Sequence, residues 1–172
     1  MPNIFESDFN DFIAALNMSG TEYMVVGGYA VILHGYYRTT QDLDIWVNKT
    51  SENYQKLAKA FAIFGAPVFG MDEKNFMGEE FDVFAIGRSP LKIEILTKLK
   101  GLEFSDAVQH ALQKEMEGIN VKYLNLNDLI QAKKGYSCKL QRSKNAGQKS
   151  GIINLPASNN FQSGSDFMIL PP

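Results

Sequence analysis

The stretch from residue 25 to residue 47, VVGGYAVILHGYYRTTQDLDIWV, leaves the chain little choice of fold. An apolar run ends on Gly27-Gly28, and a second begins at Asp42 after a polar connection at 36–41. Short apolar runs bounded by turn residues read as strands, whereas the 28–35 segment fits a short helix. EYMVV, residues 22–26, is therefore a predicted strand, and DLDIWV, residues 42–47, is a second. The latter alternates, with Leu43, Ile45 and Val47 on one face and Asp42, Asp44 and Trp46 on the other.

The same reasoning carries along the chain. SDFNDFIAALN places Phe9, Phe12, Ile13 and Leu16 on one helical stripe, with Ser7 or Asp8 as cap and Gly20 as stop. SENYQKLAKAFAIFG is an amphipathic helix capped by Ser51. EEFDVFAIG and LKIEILT are predicted strands joined by a turn at Gly87 to Pro90. FSDAVQHALQKEMEG is expected to be a helix capped at Ser105, INVKYLN a strand and LNDLIQAKK a last helix. Strands mixed with helices imply an α/β or α+β fold, a mixed sheet with flanking helices around one core. A chain of 172 residues with 45% hydrophobic residues has material for one such core. The predicted domain is 1–134. Residues 135–172 are rich in Ser, Asn, Gly and Pro and are expected to form a poorly ordered polar tail.

Charge and cysteine content exclude several functions. Seventeen basic against nineteen acidic residues rule out global attraction to nucleic acid or a membrane surface. The clearest basic cluster, Lys133, Lys134, Lys139, Arg142, Lys144 and Lys149, reads as a solvated run, with phosphate binding as the alternative. Cys138 has no partner for an internal disulfide, and His34 and His110 are too few for a zinc cluster. The acidic start MPNIFESDFN lacks the pattern of a secretory signal, and no apolar run is long enough to span a bilayer. The expectation is a cytoplasmic protein with no membrane partner.

What remains is local chemistry. A strand that ends in Gly27-Gly28 and turns into a helix leaves backbone N–H groups uncovered, in the manner of an anion seat, although a tight turn needs glycine for its own reasons. Asp42 and Asp44 stand on one side of their strand, where like charges repel unless a cation lies between them. Carboxylates of this kind suit Mg²⁺ shared with substrate phosphates. Glu94, flanked by Ile93 and Ile95 in LKIEILT, supplies a third acid on the polar face of another strand. Arg38 and Lys98 flank these acids in sequence and offer charge to a phosphate; either also reads as an ordinary solvated base. Tyr36, Tyr37 and Trp46 are candidates to stack on a base or to fill the core, and His34 reads as structural.

Taken together, Gly27-Gly28, a helix, Arg38-Thr39-Thr40 and Asp42-Leu43-Asp44-Ile45 resemble the core of the polymerase-β-like nucleotidyltransferase superfamily, nearest its minimal, AbiEii-type toxin branch. The likeness spans about residues 20–134 and includes GRSPLKIEILTKLKGLEFSDA. It implies that Gly27, Gly28, Arg38, Thr39 and Lys98 meet a nucleoside triphosphate. It implies further that Asp42, Asp44 and Glu94 are catalytic residues holding two Mg²⁺ ions. The implied reaction moves a nucleoside monophosphate to a hydroxyl of RNA, tRNA or protein, in a toxin–antitoxin setting with an antitoxin as partner. Gly28 stands where many members carry serine, Glu94 where aspartate is commoner, and the polar tail where relatives continue a helix, so the ending is read as altered or out of frame. Two alternatives stay open: an inactive regulator or scaffold of the same fold, and a metal-dependent glycosyltransferase.

Overall fold

The computed structural model describes residues 7–68, 70–88 and 91–140. Six strands form one mixed sheet: β1 (Tyr23–Val25), β2 (Asp42–Val47), β3 (Val83–Arg88), β4 (Leu91–Leu96), β5 (Leu112–Met116) and β6 (Ile119–Tyr123). Their order is β3-β4-β2-β1-β6-β5. β2 runs parallel to β4 and antiparallel to β1, which in turn runs parallel to β6. The α/β expectation therefore holds, with a mixed sheet and helices on its faces.

The period-2 pattern of each strand decides what each face meets. Leu43, Ile45, Val47, Ile93, Ile95 and Val25 are buried under α1 (Ser7–Ser19) and α3 (Ser51–Phe64). Phe12 of α1 packs on Phe61 and Phe64 of α3 with ring centroids 5.1 and 5.2 Å apart, which knits the two helices into one layer. On the other face Met24, Trp46 and Leu96 pack with Leu99, Phe104, Leu124, Leu129 and Ala132. Leu129 and Ala132 belong to α6 (Leu126–Leu140), so this helix covers the Trp46 end of that face.

Hydrogen bonds to buried side chains pin the layers. The Thr50 hydroxyl, one residue before the predicted cap, accepts from the backbone N–H of Asn53 at 3.1 Å and starts α3. Asn53 itself is buried. Its amide accepts from the Glu22 N–H at 2.7 Å and donates to the carbonyls of Glu22 and Asn48 at 3.0 and 2.8 Å. One side chain thus joins the start of α3 to the residues flanking β1 and β2.

Three elements differ from expectation. The predicted helix at 104–118 is a single turn, α5 (Phe104–Ala107), with a 3₁₀ turn at Val108–His110, followed by β5. Glu117 and Gly118 carry φ of 52° and 80°, and this left-handed pair reverses the chain tightly into a β5–β6 hairpin. β5 is an edge strand with an exposed face, so its sequence shows too little apolar alternation to announce itself. A short helix, α4 (Glu73–Met77), was not expected; the Asp72 carboxylate caps it by accepting from the Asn75 N–H at 2.7 Å. α6 also runs on to Leu140, past the predicted boundary at 134. The tail from 141 onward lies outside the described residues.

Candidate active site

The parallel pairing of β2 with β4 sets the register Asp42 with Lys92, Asp44 with Glu94 and Trp46 with Leu96. Neighbouring strands lie about 4.8 Å apart, so these residues form adjacent pairs on one sheet face while Leu43, Ile45, Ile93 and Ile95 hold the strands from the other. Asp42 and Glu94, distant in sequence, thereby flank Asp44. Trp46 and Leu96 close one end of this face inside the second core cluster. Asp42, Asp44 and Glu94 are only partly buried at the other end.

Asp44 is the most perturbed carboxyl group of the site. Burial raises its pKa first, then repulsion from Glu94 and a hydrogen bond to the Glu94 side chain, with Asp42 adding a smaller push; the sum moves it from 3.8 up to about 7. The backbone N–H of Gly28 donates to the same carboxylate and pulls the other way. Burial and the neighbouring Glu94 therefore favour a protonated Asp44 that donates to the Glu94 side chain. The acceptor served by this backbone N–H is, in this state, the chain's own aspartate.

The glycine turn is built around that aspartate. Gly27 has φ of 61°, and a Cβ there would lie 1.9 Å from Asp44 Oδ2 and 2.7 Å from its Cγ, so both conformation and space demand glycine. Gly28 begins to pack against the connection before β2: a Cβ there would lie 2.4 Å from Thr40 Oγ1. The Thr40 hydroxyl fills the space a serine side chain at residue 28 would take, and it donates to the Asp42 carbonyl at 3.4 Å. The Val26 N–H donates to the Asp44 carbonyl at 2.9 Å, which fixes the turn on β2.

Of the predicted site residues, the fold gathers Gly27, Gly28, Asp42, Asp44 and Glu94. Arg38 and Thr39 are exposed in the connection between α2 (Gly27–Leu33) and β2. Lys98 forms ion pairs with Glu79 and, at 3.8 Å, with Asp82. Tyr36 and Tyr37 are exposed, whereas Trp46 is a core residue packed edge-on against Phe104 at 5.1 Å, its indole N–H buried without a hydrogen-bond partner among the described residues. His34 is structural, as expected: its Nε2 lies 2.9 Å from the Leu124 carbonyl oxygen and its ring packs on Tyr123.

One residue of the site escaped the sequence reading. Lys92 stands two positions before Glu94 on the same face, and its ammonium is ion-paired with the Glu94 carboxylate. That bond, opposed by burial, raises the Lys92 pKa, with smaller help from Asp42 and Asp44. The alternation in LKIEILT that selects Glu94 selects Lys92 equally.

Among the described residues no three His, Cys, Asp or Glu side chains come close enough together to cage a metal ion unaided. Mg²⁺ seldom needs such a cage, because it keeps waters and takes one or two carboxylates together with substrate phosphates. Two adjacent, hydrogen-bonded carboxyl groups, with a third on the same face, fit that chemistry.

Comparison with solved structures gives a match to a protein from Thermotoga maritima provisionally designated a nucleotidyltransferase. The match has a TM-score of 0.52 and 17% sequence identity, and it covers 79% of this chain and 88% of the other. The fold is nucleotidyltransferase-like. At that identity the likeness speaks for architecture, and the shared architecture includes the greater part of the nucleotidyltransferase-like chain described above. No family model matches the sequence, and no curated protein matches it.

Proposed function

We propose that the chain is a Mg²⁺-dependent nucleotidyltransferase that moves a nucleoside monophosphate from a triphosphate to a hydroxyl acceptor. The observation that carries this reading is the pairing of Asp44 with Glu94 across β2 and β4, directly under a glycine turn shaped to that aspartate. Asp42, Asp44 and Glu94 would hold Mg²⁺, which supplies charge neutralisation and makes an acceptor hydroxyl easier to deprotonate.

The chain's own residues have distinct tasks. Asp44 gives up the proton that burial and Glu94 favour on it and becomes a full carboxylate beside Glu94. Gly27 and Gly28, lacking Cβ atoms, let a triphosphate approach the backbone beside Asp44, with Arg38 and Lys98 nearby in sequence to balance its charge and the Thr39 hydroxyl to hydrogen-bond it. Glu94 accepts the hydroxyl proton as the acceptor oxygen attacks the α-phosphorus in line and pyrophosphate departs. The acceptor is a tRNA end or a protein hydroxyl, in keeping with the toxin-type branch the sequence resembles and with an antitoxin as partner. Among the described residues no helix is long and apolar enough to cross a membrane, and we place the activity in the cytoplasm.

The test is thermal unfolding with each of the four nucleoside triphosphates, with and without Mg²⁺, beside the Asp42→Asn/Asp44→Asn double variant. A Mg²⁺-dependent stabilisation by at least one triphosphate, absent in the variant, is the expected result, because a ligand that binds only the folded state raises its melting temperature. Absence of any shift in the natural chain would leave the fold as a scaffold.

A further inference from the structure

Building on the nucleotidyltransferase reading, we infer that Lys92 is the resident counter-ion of the acidic face in the nucleotide-free protein, and that it exchanges Glu94 for a phosphate group of the incoming triphosphate. Three observations carry this. Lys92 and Glu94 project from the same face of β4, and their ion pair lies among the carboxylates expected to take the metal. Lys92 sits in register with Asp42 on β2, so its stem starts at the row of the sheet that bears the outermost acid. Its side chain is 32% exposed and that of Glu94 26%, which puts the pair at the open end of the face with room for the ammonium to swing.

In the nucleotide-free protein Arg38 and Lys98, the other cations assigned to the triphosphate, do not rest on the acidic face. Lys98 is held by Glu79 and Asp82, and Arg38 is exposed in the connecting loop. Asp42, Asp44 and Glu94 thus share a face on which Lys92 is the cation observed in contact. A flexible four-carbon stem with a compact charge can turn from a carboxylate to a phosphate without moving the backbone. Glu94 cannot give its full charge to both an ammonium and a divalent ion. Occupation of this face by one therefore works against occupation by the other. On this account Lys92 suppresses metal binding before substrate arrives and contributes to triphosphate binding afterwards.

The two halves of the exchange predict opposite effects of one substitution. Lys92→Met is expected to tighten binding of Mn²⁺ alone, read by electron paramagnetic resonance, by about tenfold, since a unit charge a few ångströms away is removed. The same variant is expected to weaken binding of the Mg²⁺-loaded triphosphates, read by isothermal titration with each of the four, by about tenfold. Lys92→Arg keeps the charge and should retain triphosphate binding. Lys56→Met, which breaks a surface pair with Glu52, controls for loss of a charge in general. Lys92→Gln serves as a second neutral variant should the methionine form fail to give a cooperative melt.

If Lys92 were only a surface ion pair, both affinities would stay where they are. Unchanged or weaker Mn²⁺ binding in the neutral variants, or unchanged triphosphate binding, overturns the exchange. If the natural chain binds neither Mn²⁺ nor any triphosphate, the nucleotidyltransferase reading falls and this inference with it. A natural chain that binds both, beside variants that match it, removes the inference alone.

Discussion

Replacing Asp44 by asparagine is expected to stabilise the metal-free protein while abolishing its response to nucleotide. The carboxyl group is raised from 3.8 to about 7, first by burial and then by Glu94. That gap is roughly three pK units, and at about 1.4 kcal/mol each the ionised form costs the fold about 4 kcal/mol, of which solvent at the open end of the face screens part, leaving about 2–4 kcal/mol. The sign follows from proton counting. Between pH 3.8 and about 7 the folded chain holds this proton and the unfolded chain does not, so the contribution to stability is whole below the lower value and is lost as pH rises through the upper. Asparagine keeps the acceptor for the Gly28 N–H and gives Glu94 a permanent donor. At pH 8, in the presence of a chelator, Asp44→Asn should therefore melt about 5–15 °C above the natural chain, taking about 2–4 °C per kcal/mol for a chain of this size. At pH 5 the advantage should shrink to less than half. Calorimetry at both values checks it. A variant that melts lower at pH 8, or an advantage indifferent to pH, would refute the idea that Asp44 and Glu94 crowd each other for want of a cation.

Three further outcomes follow from the same geometry. Gly28→Ser should lose about 1–3 kcal/mol in urea unfolding because its Cβ meets the Thr40 hydroxyl at 2.4 Å, and Thr40→Gly in the same chain should recover most of that loss; two independent penalties that simply add would count against the shared space. Gly27→Ala should cost more, about 2–4 kcal/mol, and no change at Thr40 should relieve it, since it meets Asp44 and needs φ of 61°. Asn53→Ala should cost about 2–4 kcal/mol by chemical denaturation, because it removes three hydrogen bonds made by a buried side chain and leaves the Glu22 N–H and carbonyl without that partner; a loss under 1 kcal/mol would show that water replaces it.

Much of the site could be read from residue order because β2 and β4 keep the period of two over residues 42–45 and 92–95. Asp42 and Asp44 had to share a face, and Glu94 had to oppose Ile93 and Ile95, whatever the fold. Their meeting depended on β2 and β4 being neighbours, which is a matter of topology and was supplied by the resemblance. Lys92 is equally legible, since the alternation that selects Glu94 selects it too. The role of Thr40 was hidden, because contact across a loop leaves no periodic trace. The β5–β6 hairpin failed because β5 exposes most of its side chains and its turn uses Glu117 in a left-handed conformation, where asparagine or aspartate is the usual signal. Trp46 was assigned two possible places, and packing against Phe104 decided between them.

The closeness of Gly27 to the Asp44 carboxylate also limits the length of the acid that each strand can carry. With the turn this close to Oδ2, a longer side chain at residue 44 would have to bend away from Gly27 and lose the fit to the turn. No such ceiling stands over residue 94, whose side chain reaches partly into solvent. The two acids are thus not interchangeable in size, and the glutamate on β4 occupies the one side of the pair where an extra methylene finds room.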